Sequence, residues 1–146
     1  MGNNQIVINN LSKVYDNGFN ALKNINLEIK KGSKVGIIGE TGSGKSTLID
    51  IMMSLIQPSK GEFLVDGVKI NENDSLKNIW RAEISHVPQD IFLSDNSIRE
   101  NIAFGVPAKN INNNKVKKYS KLLYLDELFK NKRQGFYSNV GERGAQ

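Results

Sequence analysis

Apolar and polar residues alternate most regularly over residues 22–29. Ile25, Leu27 and Ile29 fall on one side of this stretch, with polar residues between them. An alternation of period two predicts a strand that buries one face, as in an antiparallel sheet. Residues 35–38, by contrast, are apolar apart from one glycine. A continuous apolar run of this kind is typical of a central parallel strand that is buried on both faces.

Turn and helix signals separate the remaining elements. The pair Asp66-Gly67 lies between two short apolar runs and therefore predicts a hairpin. An amphipathic helix is predicted over residues 45–56, because Pro58 follows and cannot continue it. The other predicted elements are strands over 5–9, 62–65, 68–70 and 84–87, short helices over 74–80 (capped by Asp74) and 97–103, and a longer helix beginning within 110–114. Strands interspersed with helices indicate the α/β class.

Composition narrows the kinds of site that the sequence offers. The 146 residues are enough for one domain with a buried core. Cysteine is absent, which excludes disulfides, thiolate metal sites and a cysteine nucleophile, and the single histidine does not provide a histidine metal cluster. No apolar run in the sequence approaches the roughly 18 residues that a membrane helix needs.

The net charge of +5 raises the question of nucleic-acid binding. Residues 109–133 alone carry eight Lys or Arg against Asp126 and Glu127, so the rest of the chain is close to neutral. The excess is lysine rather than arginine, and arginine is the better fork for bases and phosphates. We therefore interpret the charge as a solvated helical face and predict no nucleic-acid partner.

The strongest motif is a glycine-rich stretch between the apolar run at 35–38 and the helix predicted from residue 45. It has the P-loop pattern of glycine, four residues and Gly-Lys-Ser, in which backbone N–H groups and a helix N-terminus cradle phosphate. The predicted nucleotide-binding residues here are Gly39, Glu40, Thr41, Gly42, Ser43, Gly44, Lys45, Ser46 and Thr47. The alternative is a turn that binds nothing, but the flanking strand and helix favour the cradle.

Two side chains of this motif have the chemistry for catalysis with ATP and Mg²⁺. Lys45 is predicted to reach the β- and γ-phosphates, and the Ser46 hydroxyl is placed to ligate Mg²⁺. Upstream lies Tyr15, in residues 13–16, followed by a second segment at 21–25. With these residues the sequence resembles the nucleotide-binding domain of ABC transporters. The resemblance implies that Tyr15 stacks on adenine, a contact that tolerates any base.

Further segments extend the resemblance along the chain. Residues 84–89 are similar to the strand that leads into the family's Q-loop, which implies that Gln89 is a catalytic residue and a Mg²⁺ ligand. Residues 97–105 and 140–144 resemble the exporter branch, and residues 91–97 are also similar to flippases of lipid-linked oligosaccharides. In exporters the segment matching 140–144 touches the membrane domain.

Residues 122–127 have the form of a second carboxylate motif, four apolar residues followed by Asp126 and Glu127. Such a strand would supply a Mg²⁺ ligand and a water-orienting carboxylate. Three nearby lysines and an apolar spacing that continues helically through Leu128 and Phe129 favour a peripheral helix instead.

The resemblance predicts a P-loop ATPase core with an antiparallel β-subdomain over residues 1–88, and a Q-loop with the start of a helical subdomain over residues 89–146. We expect an incomplete domain, because the family's signature motif is not reached, and therefore no measurable hydrolysis by these 146 residues alone. The expected whole is an ABC exporter at the cytoplasmic face of the inner or plasma membrane. Its partners would be a transmembrane domain and a second nucleotide-binding domain. The alternatives are a soluble ABC-type ATPase without a membrane partner and a nucleotide-binding module without turnover.

Overall fold

The computed structural model describes residues 5–125, 127 and 134–140. Its N-terminal part contains a four-stranded antiparallel sheet, which includes the segments of alternating apolar and polar residues. The strands are β1 (Ile6–Val14), β2 (Asn20–Ile29), β3 (Lys60–Val65) and β4 (Val68–Lys69), arranged in the order β2-β1-β3-β4. Register pairs Ile8 with Leu27 on one side and with Phe63 on the other. The predicted strands at 5–9 and 22–29 are therefore confirmed and are longer than expected.

Helices complete a mixed α/β architecture. They are α1 (Lys45–Met52), α2 (Asp74–Glu83), α3 (Ile98–Ile102) and α4 (Asn113–Leu122), with short 3-10 turns at Ala108–Asn110 and Gly135–Tyr137. The chain divides into two units, Met1–His86 and Val87–Gln146. The sheet, α1 and α2 belong to the first unit, and α3 and α4 belong to the second.

The core of the first unit lies between the sheet and α1. Ile8, Leu11 and Phe63 from the sheet are almost fully buried together with Ile51 of α1. The hairpin between β3 and β4 is confirmed, since Val65 pairs with Val68 across a two-residue turn. Both turn residues have positive φ, 51° and 80°, as a type I′ turn requires, which explains why Asp-Gly stands there.

Helix α1 ends at Met52, four residues before the predicted end. Two side chains of α2 bind the carbonyls at this end. The Trp80 indole N–H donates to the Met52 carbonyl at 2.6 Å, and the Arg81 Nε donates to the Ser54 carbonyl at 3.2 Å. Ser54 itself has a left-handed φ of 56°, which stops the helical path.

Helix α2 is also capped differently from the expectation. Asn73, not Asp74, is the N-cap, and its side-chain oxygen accepts from the N–H of Ser75 at 2.8 Å. Asp74 is the first helical residue and pairs with Lys77 at 2.8 Å. Asparagine is as good a cap as aspartate, so residue type alone did not decide between the two positions.

The predicted strands at 35–38 and 84–87 are wrong for the described residues, since neither segment pairs with a strand there. Val35 and Ile37 remain 50% and 38% exposed. With Met52, Trp80 and Ile84 they line an apolar groove of about 420 Å³ in the first unit. A central parallel strand is stabilised by hydrogen bonds to a neighbouring strand on each edge. No described strand lies beside residues 35–38 or 84–87 to form these bonds.

In the second unit α3 begins with a capping box, which confirms the predicted helix start. The Ser97 backbone N–H and hydroxyl both donate to the Glu100 carboxylate, at 3.1 and 2.5 Å. The Glu100 N–H in turn donates to the Ser97 hydroxyl oxygen at 3.3 Å. These bonds stabilise the ionised carboxylate and lower the pKa of Glu100 below its usual value.

Candidate nucleotide-binding site

Residues 39–43 form an exposed loop that leads through the half-buried Gly44 into α1. Gly42 and Gly44 have φ of 83° and 90°, a region that glycine enters without a steric cost. Gly44 is the N-cap of α1 and provides no side-chain oxygen, so the first N–H groups of the helix lack a capping acceptor. Unsatisfied N–H groups at a helix N-terminus favour an anion, which is the chemistry that the motif predicts.

Two glycines of the loop lie close to other atoms, Gly39 to a side chain that can turn away and Gly44 to strand backbone that cannot. A Cβ on Gly39 would lie 2.7 Å from the Ser43 hydroxyl oxygen. A Cβ on Gly44 would meet the Ala21 carbonyl of β2 and would lie 2.8 Å from Leu22. The start of α1 is therefore held directly against β2, and glycine at residue 44 makes that contact possible.

Lys45 curls back over the loop. Its Nζ donates to the carbonyls of Gly39 and Glu40 at 2.8 and 2.6 Å, and to the Ser43 hydroxyl at 3.4 Å. The ammonium therefore lies inside the ring of the loop, where a phosphate chain would need a counter-charge. A lysine at this position adds a point charge without the planar fork of an arginine.

Tyr15 is brought to the same helix. Its hydroxyl lies 3.2 Å from the Thr47 hydroxyl, in the first turn of α1. The ring is about one-third exposed. The predicted aromatic platform and the predicted phosphate cradle are therefore adjacent. In the sequence, 23 residues separate Tyr15 from Gly39, the first glycine of the loop.

Two neighbours of Tyr15 were not anticipated from the sequence. The Phe19 ring stacks beside it, with centroids 6.4 Å apart and planes 20° from parallel, and Lys13 Nζ lies 5.3 Å from its centroid. The Tyr15 N–H donates to the Phe19 carbonyl at 2.9 Å, which closes the β1–β2 hairpin loop. Phe19, four residues after Tyr15 in the connection between the two predicted strands, was the available signal.

The donor set around α1 suits a hydrated magnesium ion better than a protein cage. Ser46 is exposed in the first turn of α1, next to the loop. Among the described residues no group of three His, Cys, Asp or Glu could hold a metal. Mg²⁺ commonly takes one or two protein oxygens and completes its shell with phosphate and water. A single hydroxyl beside a phosphate cradle fits that pattern.

The remaining predicted residues lie in the second unit. Gln89 occupies an exposed bend. Leu125 and Glu127 are helical, which agrees with the peripheral-helix interpretation of residues 122–127, while Asp126 lies outside the described residues. Of residues 140–144, only Val140 is described.

A family model described as ABC transporter matches residues 22–141, which is most of the chain. The chain belongs to the ABC transporter family. The match begins in β2 and includes the P-loop, α1 and Gln89. The mixed α/β architecture with its antiparallel sheet is that of an ABC ATP-binding domain.

Individual ABC proteins support this assignment. The chain is 40% identical over 120 residues to the methionine import ATP-binding protein MetN of Helicobacter pylori, covering 77% of this chain and 35% of that protein. It is 40% identical over 124 residues to the leukotoxin translocation ATP-binding protein LktB of a Pasteurella haemolytica-like species, covering 85% of this chain and 17% of that protein.

A solved structure of a bacterial Atm1-family ABC exporter with ATP bound superposes with a TM-score of 0.85 at 29% identity, covering 99% of this chain and 24% of that chain. The chain therefore spans about a third or less of the proteins that it matches. Within the residues that the structure describes, no helix is both long and apolar enough to cross a membrane.

Proposed function

We propose that this chain is the ATP-binding part of an ABC exporter, which couples ATP binding and hydrolysis to transport across a membrane. The observation that carries the nucleotide-binding part of the proposal is the contact between Tyr15 and Thr47 on the helix that begins at the P-loop. It joins a surface for a base to a cradle for phosphates, the two ends of a nucleotide.

Each part of the site has a distinct task in this proposal. The N–H groups of the loop and of the first turn of α1 bind phosphate oxygens, and the Tyr15 ring stacks on the base. Lys45 exchanges its bonds to the Gly39 and Glu40 carbonyls for phosphate oxygens. Ser46 would supply an oxygen to Mg²⁺, which neutralises phosphate charge when bound.

Hydrolysis and transport need parts beyond this site. Phosphoryl transfer depends on positioning and charge stabilisation, so the proposal includes a second nucleotide-binding domain that closes over the phosphates. It also includes a transmembrane domain, at the cytoplasmic face of the membrane. The similarity to LktB, whose name states translocation, and to a solved exporter supports the exporter assignment.

An import ATPase is the second candidate, because the similarity to MetN is equally high. Both assignments share the nucleotide site and differ in the membrane partner. Inside-out vesicles that contain the whole transporter separate them, since ATP added outside such vesicles drives an exporter to accumulate its cargo within. Release of preloaded cargo on ATP addition would favour import.

The nucleotide site itself is tested by Lys45→Ala. Titration calorimetry with Mg²⁺-ATP should show a loss of affinity of about tenfold or more, since a charge-assisted bond contributes roughly that much. The matched control is Lys31→Ala, which removes an exposed lysine just after β2, at the opposite end of that strand from the P-loop contact. Equal ATP affinity of the two variants would contradict the proposed site.

A further inference from the structure

Two distant segments of the second unit run side by side as a minimal antiparallel pair. Ser97 and Asn139 form an isolated β-bridge. The Ile98 N–H donates to the Ser138 carbonyl at 3.0 Å, and the Val140 N–H donates to the Asn96 carbonyl at 3.1 Å. Bonds on both sides of the bridge fix the register of residues 96–98 against residues 138–140.

A side-chain network reinforces this pairing one residue further on. Arg99 Nε donates to the Asn113 side-chain oxygen at 2.6 Å, and the Arg99 guanidinium lies 5.7 Å from the centroid of the Tyr137 ring. Asn113 Nδ2 lies 3.3 Å from the Tyr137 hydroxyl oxygen. A second Arg99 nitrogen donates to the Ala108 carbonyl at 3.0 Å. Arg99 thus joins α3, α4 and the turn at Tyr137.

The segment before the bridge is held by Asn101 of α3. The Ser94 N–H donates to its side-chain oxygen at 2.8 Å. The Asn101 Nδ2 donates back to the Ser94 carbonyl at 3.0 Å and to the Ser97 carbonyl at 3.1 Å. Backbone order therefore extends from Ser94 into α3, shortly after Gln89 in the sequence.

We propose that residues 96–99 and 137–140 form a clamp that stays closed throughout the transport cycle, with Arg99 as its positioning residue. The inference rests on the proposed function. The clamp ties the chain that follows Gln89 to the chain that enters residues 141–144. A displacement that begins at the nucleotide is then passed on directly to the segment expected to face the membrane domain.

A cross-linking test suits these 146 residues because they contain no cysteine, and any cysteine elsewhere in the transporter is replaced first. In the bridge the flanking residues exchange the hydrogen bonds, so Ser97 and Asn139 form a non-hydrogen-bonded pair, with Cα atoms about 4.5 Å apart in such pairs. That separation lies within the range of about 4.4–6.8 Å that disulfides span. Ser97→Cys with Asn139→Cys should therefore cross-link under a mild oxidant in the whole transporter.

The rate of ATP hydrolysis in membrane vesicles then shows whether the transporter can turn over with the clamp held closed. A cross-linked transporter that retains its turnover supports a clamp that stays closed. Turnover that is lost on oxidation and restored by a reducing agent overturns it, and so does failure of the pair to cross-link. The single variants Ser97→Cys and Asn139→Cys control for loss of the helix cap and of the asparagine side chain.

Arg99→Ala and Arg99→Lys test the positioning role. Opening the clamp should lower kcat severalfold with an unchanged KM for ATP, because the nucleotide site stays intact while a smaller fraction of transporters has the clamp closed and passes the displacement on. Lysine keeps the charge and loses the planar fork, so it should behave like alanine. The disulfide should restore the kcat of Arg99→Ala. An unchanged kcat in both variants, or no rescue by the disulfide, contradicts the role. The control is Lys115→Ala, at an exposed position of α4.

The Lys45→Ala measurement distinguishes failure of the clamp from failure of the proposed function. If Lys45→Ala leaves ATP affinity unchanged, the nucleotide site is wrong and the clamp loses its role in coupling. If Lys45→Ala weakens ATP binding while the Arg99 variants hydrolyse ATP normally, only the clamp is overturned.

Discussion

Replacement of Gly44 by alanine should damage the protein more than the same replacement at Gly42, two residues earlier in the same loop. Both glycines have a left-handed backbone, with φ of 90° and 83°. They differ in surroundings, because a Cβ on Gly42 would have nothing within 4 Å, whereas a Cβ on Gly44 would meet the Ala21 carbonyl and Leu22 of β2. The pair therefore separates backbone strain from steric overlap.

The expected magnitudes follow from these two causes. A left-handed conformation costs an L-residue roughly 1–2 kcal/mol, which is the whole effect expected for Gly42→Ala. Gly44→Ala carries the same strain and adds an overlap with strand backbone, which cannot turn away as a side chain can. Overpacking of this kind typically costs about 1–3 kcal/mol. We therefore expect the unfolding free energy of Gly44→Ala to lie below that of Gly42→Ala by about this amount.

Urea unfolding followed by circular dichroism measures the difference. We expect the midpoint to fall further for Gly44→Ala than for Gly42→Ala. The m-values should be similar, because both variants expose about the same surface area on unfolding. Equal losses of unfolding free energy in the two variants would refute the steric argument and the assigned contact between the loop and β2.

Three further predictions concern single side chains. Tyr15→Ala should weaken ATP and GTP binding alike by roughly 1–3 kcal/mol in calorimetry, while tryptophan should retain affinity; a loss confined to ATP would argue against stacking. The pKa of Glu100 is lowered by its hydrogen bonds from Ser97, so its stabilisation of α3 is present above the usual value of 4.5 and is lost as the pH falls through the lowered pKa. Protection factors of the α3 amides, which correct for the slower intrinsic exchange at low pH, should fall over that range, and Glu100→Gln should remove that pH dependence. Asn73→Ala should lower stability by about 1 kcal/mol in thermal unfolding, and an equal or larger loss for Asp74→Ala would contradict the assigned cap.

Local signals predicted local structure well. The Asp66-Gly67 turn and the start of the helix near Ser97 were predicted, because each depends on residues within three positions of each other. The P-loop belongs to the same class, because its glycines, Lys45 and the following helix are contiguous. The glycine loop and the helix that follows it could therefore be predicted from the sequence, and the binding of phosphate by its residues stays a prediction.

Features that depend on distant residues could not be predicted in this way. The end of α1 is set by Trp80 and Arg81, which reach its carbonyls from another helix. The apolar run at 35–38 has strand-like composition, but a strand also requires neighbours with which to exchange hydrogen bonds. The Tyr15 hydroxyl contact with Thr47 is likewise tertiary, and the sequence predicted only the ring.

The hydrogen bond from Trp80 to the last turn of α1 makes the P-loop helix observable by fluorescence. Trp80 is the single tryptophan of the sequence, and it is partly buried against the end of α1 and beside the Phe63 ring. The P-loop lies at the other end of that eight-residue helix, about 12 Å away at 1.5 Å per residue. A small shift of α1 on phosphate binding would alter the polarity around one indole. Intrinsic emission can therefore follow nucleotide arrival in real time, without a label and without a second emitting tryptophan in this chain.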